Sequence, residues 1–233
     1  MKTIGLIGGM SWESSLEYYK IINETTKNKL GGLHSAKSLM FSFDFHEIEE
    51  LQNKGDWQSA TEMMIKAAGD LEKGGAEMLL ICTNTMHKMA DEVAASVSIP
   101  LLHIADTTAQ VIRAQGLKNV ALLGTKFTME EDFYKGRLEE RYGIAVVVPD
   151  ETDRQIIHDI IYSELCLGEI KETSRQSYLS IIKKLEAAGA EGVILGCTEI
   201  PLLVKQADVD IPVFDTTRIH AEAAVEFALK DNV

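Results

Sequence analysis

The chain says nearly the same thing twice, and that repeat limits what it can fold into. Leu71-Glu72, Gly75-Ala76-Glu77 and the apolar run from Met78 to Ile81 recur 114 positions later, from 71 to 185. There they read Leu185-Glu186, Gly189-Ala190-Glu191 and the run Gly192 to Leu195. An apolar run that ends in small polar residues reads as a buried parallel strand delivering side chains at its C-terminal end. That end is where open α/β sheets place their ligands. In this register Thr83-Asn84-Thr85 lies opposite Cys197-Thr198-Glu199. Two strand ends related by the repeat are therefore expected to face one shared site.

The rest of the chain follows the same alternation. Thr3 to Ile7 is predicted as a strand, and Gly8-Gly9-Met10-Ser11 as a turn opening a helix from Trp12 to Lys29. The glycine spacing is not that of a dinucleotide-binding turn, and no acidic residue stands about 20 positions on at a second strand end. Ser38 to Phe43 is the second strand, Asp44 to Lys54 a polar segment placed over the pocket, and Trp57 to Lys73 a helix. Met78 to Cys82 is the third strand, and Thr85 to Ser96 is helical. Ile99-Pro100-Leu101-Leu102 is taken to begin the second half, echoed by Ile211-Pro212-Val213-Phe214. Asn119 to Leu123 and Ala145 to Val148 repeat the first two strands, and Asp153 to Leu167 and Ile170 to Ala188 are helices. Strands alternating with helices imply an α/β fold with parallel sheets and right-handed crossovers.

The totals narrow the function. With 45% hydrophobic and 25% charged residues the chain has the composition of an ordinary globular protein. A net charge of −13 argues against a nucleic-acid or anionic-membrane partner, both of which need a basic face. A small anionic substrate stays open, because backbone donors act locally. There is no signal-peptide pattern, and no apolar run approaches the roughly 20 residues of a membrane span. Three cysteines without a pairing pattern suit a reducing compartment, and the expected location is the cytoplasm. The histidines show no metal-ligand spacing, so neither a metal nor another cofactor is expected.

The segments GGAEMLLICTNTMH and GAEGVILGCTEIPLL, behind KTIGLIGGMSWES, resemble the aspartate/glutamate racemase family along essentially the whole chain. The resemblance implies a cofactor-independent enzyme in which a cysteine from each half flanks the substrate's α-carbon. It also implies two similar lobes that exchange their last elements, here 1–98 with 208–233 and 99–207, with the active site in the cleft between them and a homodimer as the working form. One departure stands out. The family's first cysteine is Thr83 here, and Cys82 comes one residue early, on the opposite face of a strand.

Cys197 is accordingly the expected thiolate base, at a strand end where a following helix favours the charged form. Thr83 is the expected partner on the other face, as proton donor or as a carboxylate contact. Asn84, Thr85, Thr125 and Thr198 are candidate donors to the substrate carboxylate, a set that also stabilises the charge developing there when the α-proton leaves. Threonines at strand ends also serve as plain helix caps. Glu199 is expected to position Cys197 or to accept the ammonium group. His220, Met10 and Gln52 complete the candidate contacts, and Cys166 stands where some relatives carry a charged substrate contact. The substrate expected is aspartate or glutamate, with an uncharged amino acid such as homoserine as the alternative. The family's second-half cysteine takes the proton of the L-enantiomer, so the L-form is expected to be favoured. A single-cysteine decarboxylase or isomerase of the same fold, and an amino-acid-binding module without turnover, are the competing readings.

Overall fold

In the computed structural model, which describes residues 1–230, the chain separates into two compact units. One comprises Met1–Ile104 together with the described residues from His220 onward, the other Ala105–Ile219. The last three residues of the first expected lobe lie outside the described residues.

The first unit opens with β1 (Ile4–Gly8) and α1 (Trp12–Leu30), followed by β2 (Ser38–Ser42), α2 (Phe45–Lys54) and α3 (Trp57–Lys73). β3 (Met78–Ile81) and α4 (Ala90–Ala95) come next. The strands pair in parallel in the order β2-β1-β3. All of β1 and β3 is buried, the continuous apolar run of strands covered on both faces. Ile7, Leu79 and Ile81 pack with Met64, Ala67, Ala68 and Leu71 of α3. Ile4, Leu6, Met78, Leu80 and Cys82 pack with Tyr18 and Ile22 of α1 and with Ala221, Ala224 and Val225 near the C-terminus. Each fully buried isoleucine or leucine contributes about 1.5–3 kcal/mol relative to exposure. The turn between β1 and α1 depends on Gly9, whose φ is +85° and where a Cβ would stand 2.3 Å from the Phe43 carbonyl oxygen. Ser11 then caps α1, its Oγ accepting the Ser14 N–H.

The expected polar segment over the pocket is instead a helix. Asp44 caps α2 by accepting the His46 N–H, and Gly55 closes it at φ +69°. The predicted helix from Thr85 to Ser96 is two pieces, a 3₁₀ turn over Thr85–Met89 and then α4. Ile99 to Leu102 does not begin the second half. Leu101 bridges Leu79 in parallel, extending the first sheet beyond β3.

The second unit contains most of α5 (Ile104–Ala114), then β4 (Asn119–Gly124), α6 (Lys126–Glu130), α7 (Asp132–Tyr142) and β5 (Ala145–Val147). α8 (Glu151–Ser163), α9 (Glu172–Ala187), β6 (Val193–Gly196), α10 (Ile200–Leu203), β7 (Val213–Asp215) and the first turn of α11 (Thr216–Leu229), whose remainder from His220 belongs to the first unit, follow. Its sheet runs β5-β4-β6-β7, all parallel. Ala121, Leu123, Val193 and Leu195 pack against α8 and α9 through Ile157, Ile161, Tyr178 and Ile182. Gly124 and Gly196 pair at the C-terminal end of β4 and β6, where a Cβ on either would stand 2.8 Å from the other strand's backbone. The predicted helix from Asp153 to Leu167 breaks at Glu164, and Leu165–Leu167 forms a separate 3₁₀ turn.

The chain passes between the units later than the resemblance implied, within α5 and again within α11. The reason is pairing: Leu101 still belongs to the first sheet, and β7 is hydrogen-bonded to β6 in the second. On α1 the side chains of Trp12, Leu16 and Tyr19 are 64%, 54% and 51% exposed, beside Met40 of β2, an edge strand. Among the described residues no helix is long and apolar enough to cross a membrane.

Candidate active site

Cys197 is the first residue beyond β6 and is buried, in the core that packs on α8 and α9. Its Sγ donates to Glu199 Oε2 at 3.0 Å, and the Thr198 hydroxyl donates to the same oxygen at 2.8 Å. Burial, and after it the Glu199 carboxylate, push the thiol well above the ordinary cysteine range. This corrects the expectation of a dipole-stabilised thiolate. The following helix, α10, has only four residues, and the residue at its cap is an anion. The resting thiol is therefore protonated and hydrogen-bonded to a carboxylate able to receive its proton. Once ionised, a thiol of raised pKa is also the stronger base.

The corresponding end of the first sheet is built differently. Cys82 is buried with Met78 and Leu80 on the α1 face, its carbonyl accepts the Ser14 hydroxyl at 3.0 Å, and burial pushes its thiol up. Thr83, the next residue, is partly exposed, while Asn84 and Thr85 are buried. Both residues lie just beyond the end of β3, Cys82 in the core and Thr83 at its margin. A residue given no role in the sequence reading, His87, holds this end. Its Nδ1 lies 2.8 Å from the Thr83 carbonyl oxygen, and the Ile104 N–H donates to its Nε2 at 3.1 Å.

The remaining candidates have partners within their own units. Thr125 caps α6, its Oγ1 accepting the Thr128 N–H at 3.3 Å and lying 3.2 Å from the Thr128 hydroxyl. Met10 is buried in the core with Ile48, and Gln52, also buried, donates from Nε2 to Met86 Sδ at 3.2 Å. Cys166 is partly buried against the α8–α9 core. His220 is fully buried, 2.8 Å from the Leu102 carbonyl through Nε2 and 2.8 Å from the Tyr18 hydroxyl through Nδ1. Both of its ring nitrogens are engaged with groups of its own unit. Among the described residues no group of three or more His, Cys, Asp or Glu side chains is arranged to hold a metal ion.

A Cys-Thr-Glu strand end in one unit and a Thr-Asn-Thr strand end in the other are the features to set against known proteins. The family model described as Asp/Glu/Hydantoin racemase matches residues 7–224. The chain belongs to that family. Its class is that of the amino-acid racemases, which are isomerases. A putative Asp/Glu racemase from Yersinia pestis, known from its crystal structure, is 58% identical, with a TM-score of 0.92 and coverage of 99% of this chain and 100% of that one. An aspartate racemase homologue from Pyrococcus horikoshii is 39% identical at a TM-score of 0.86, again over 99% and 100% of the two chains. The broad specificity amino-acid racemase of Bacillus subtilis is 24% identical over 170 residues, 73% of each chain. This racemase therefore shares its two-unit α/β fold with relatives along nearly its whole length.

Proposed function

We propose that the protein interconverts the enantiomers of aspartate or glutamate without pyridoxal phosphate or a metal, using Cys197 as base for the L-form. The observation that carries this reading is the hydrogen bond from the Cys197 thiol to the Glu199 carboxylate at the end of β6. Glu199 takes the thiol proton, and the thiolate removes the α-proton of the L-substrate. The charge left behind spreads into the substrate carboxylate, which Asn84, Thr85 and neighbouring backbone donors stabilise. Thr83 returns a proton on the opposite face, and solvent replenishes its hydroxyl. An alcohol is a far weaker acid–base catalyst at neutral pH than a thiol, so this face is the slow one.

One observation favours an uncharged substrate such as homoserine as the second reading. Gln52 is turned onto Met86, and the other expected recognition position is the uncharged Cys166, so neither candidate offers a cation to a side-chain carboxylate. The reading also includes a cytoplasmic homodimer. Three cysteines that form no disulfide and the exposed apolar stripe on α1 support it.

The test is a set of L- and D-amino acids, with aspartate, glutamate and homoserine first, incubated in D₂O and followed by NMR and chiral chromatography. Deuterium is expected to enter the L pool with retention ahead of D-isomer formation. Cys197→Ala is expected to lose both signals while its circular dichroism is unchanged. Substantial turnover by purified Cys197→Ala overturns the mechanism.

A further inference from the structure

His87 sits in the 3₁₀ turn that follows Thr83, and its ring is buried. The state of that ring follows from its partners. A backbone N–H can only donate, so the bond from Ile104 makes Nε2 an acceptor. The ring proton is then on Nδ1, which donates to the Thr83 carbonyl. His220 shows the complementary arrangement. The Leu102 carbonyl can only accept, so Nε2 carries the proton and Nδ1 receives the Tyr18 hydroxyl. The two rings are in edge contact at 5.7 Å, and His103 meets His87 at 4.6 Å. A buried imidazole with both nitrogens committed cannot turn without losing a hydrogen bond, and leaving a buried polar group unpaired is costly.

The geometry points to His87 as a positioning residue for the Thr83 face of the reaction: its Nδ1–H fixes the peptide that carries Thr83 and Asn84, and its Nε2 ties that peptide to the backbone of Ile104. This assignment rests on the racemase reading above. A small displacement of a reacting group costs on the order of tenfold to a hundredfold in rate, and here the cost falls on one face only. Cys197 belongs to the other unit and is held by Glu199.

Two amide substitutions separate the two bonds. His87→Asn places an amide N–H near the position of Nδ1 and gives up the acceptor for Ile104. His87→Gln reaches the Nε2 position and gives up the donor to Thr83. The measurement is the ratio of D-isomer formation to deuterium entry into the L pool, in D₂O, with L-substrate. His87→Gln is expected to lower that ratio about tenfold or more while deuterium entry stays within about twofold of wild type. His87→Asn is expected to keep the ratio within about threefold. A merely structural role predicts that both rates fall together, leaving the ratio unchanged, and that result overturns the assignment. So does an equal loss of ratio in both variants. Should either variant fail to fold, the wild-type protein still decides: its ¹⁵N spectrum is expected to show His87 protonated at Nδ1, and an Nε2-protonated ring overturns the proposal. If wild type exchanges no α-proton with any amino acid, the racemase reading itself fails, and the assignment falls with it. Exchange and inversion in wild type with no change in the variants' ratio removes the assignment alone.

Discussion

The thiol of Cys197 is hydrogen-bonded to the carboxylate of Glu199, and in the proposed mechanism the charge on that pair sets when the enzyme works. Burial and the neighbouring anion both raise the thiol. The thiolate is therefore populated only as pH rises past the ordinary cysteine value of about 8.5, and α-proton exchange on this side is expected to climb through that range. Glu199→Gln removes the anion but leaves an amide oxygen to receive the thiol hydrogen. In a background carrying Cys82→Ala and Cys166→Ala, the pH midpoint for alkylating Cys197 is expected to move down. Turnover is expected to fall about a hundredfold, because the proton acceptor is gone. An upward shift with unchanged turnover counts against the pair. Glu199 beside Cys197 was legible in the motif. The raised state of the thiol was not legible. A strand followed by a helix signals a favourable dipole, and only coordinates reveal that this helix is one turn long with an anion at its start.

Among the elements, the buried strands were the most legible, because each is a short apolar run that ends in glycine or in small polar residues. The short pieces were not. Thr85 to Ser96 has the composition of one helix, yet Met89 departs to φ −107° and divides it. α2 was hidden by its charge. Phe45, Ile48 and Leu51 recur at helical spacing among acidic residues, and Asp44 and Gly55 are ordinary start and stop signals. His220 was legible only as an isolated histidine, whereas in the fold it ties α11 to α1 and to the segment bearing Leu102. Burial lowers its pKa to about 4 from an ordinary 6.5. Between those values the unfolded chain binds the extra proton, so stability is fully present above pH 6.5 and is lost as pH falls toward 4. The loss is on the order of 3 kcal/mol. Urea unfolding from pH 7 to pH 4 is expected to show this slope in wild type and a shallower one in His220→Asn, which is less stable at neutral pH. Equal slopes in the two proteins would remove His220 as the source.

For the whole molecule, an open edge at β2 beside exposed Trp12, Leu16 and Tyr19 is an arrangement that a lone chain gains nothing from leaving uncovered. We propose that two copies of the chain pair through this stripe. Sedimentation equilibrium is expected to give twice the chain mass of 25.8 kDa, and Leu16→Glu is expected to return it to the monomer. A monomeric wild type at micromolar concentration sinks the idea. The division into units has another consequence, set in time and not in space. The second unit is one unbroken stretch, Ala105–Ile219, whereas the first needs Ala221, Ala224 and Val225 to finish the core over β1. At about 5–20 residues per second, those side chains leave the ribosome about 10 to 40 seconds after β1 does. The stretch made first is thus the last to be completed. During that interval Ile4, Leu6 and Leu80 have only part of their cover. A growing chain in this state exposes apolar surface of the kind that chaperones recognise, long before there is any catalysis to protect.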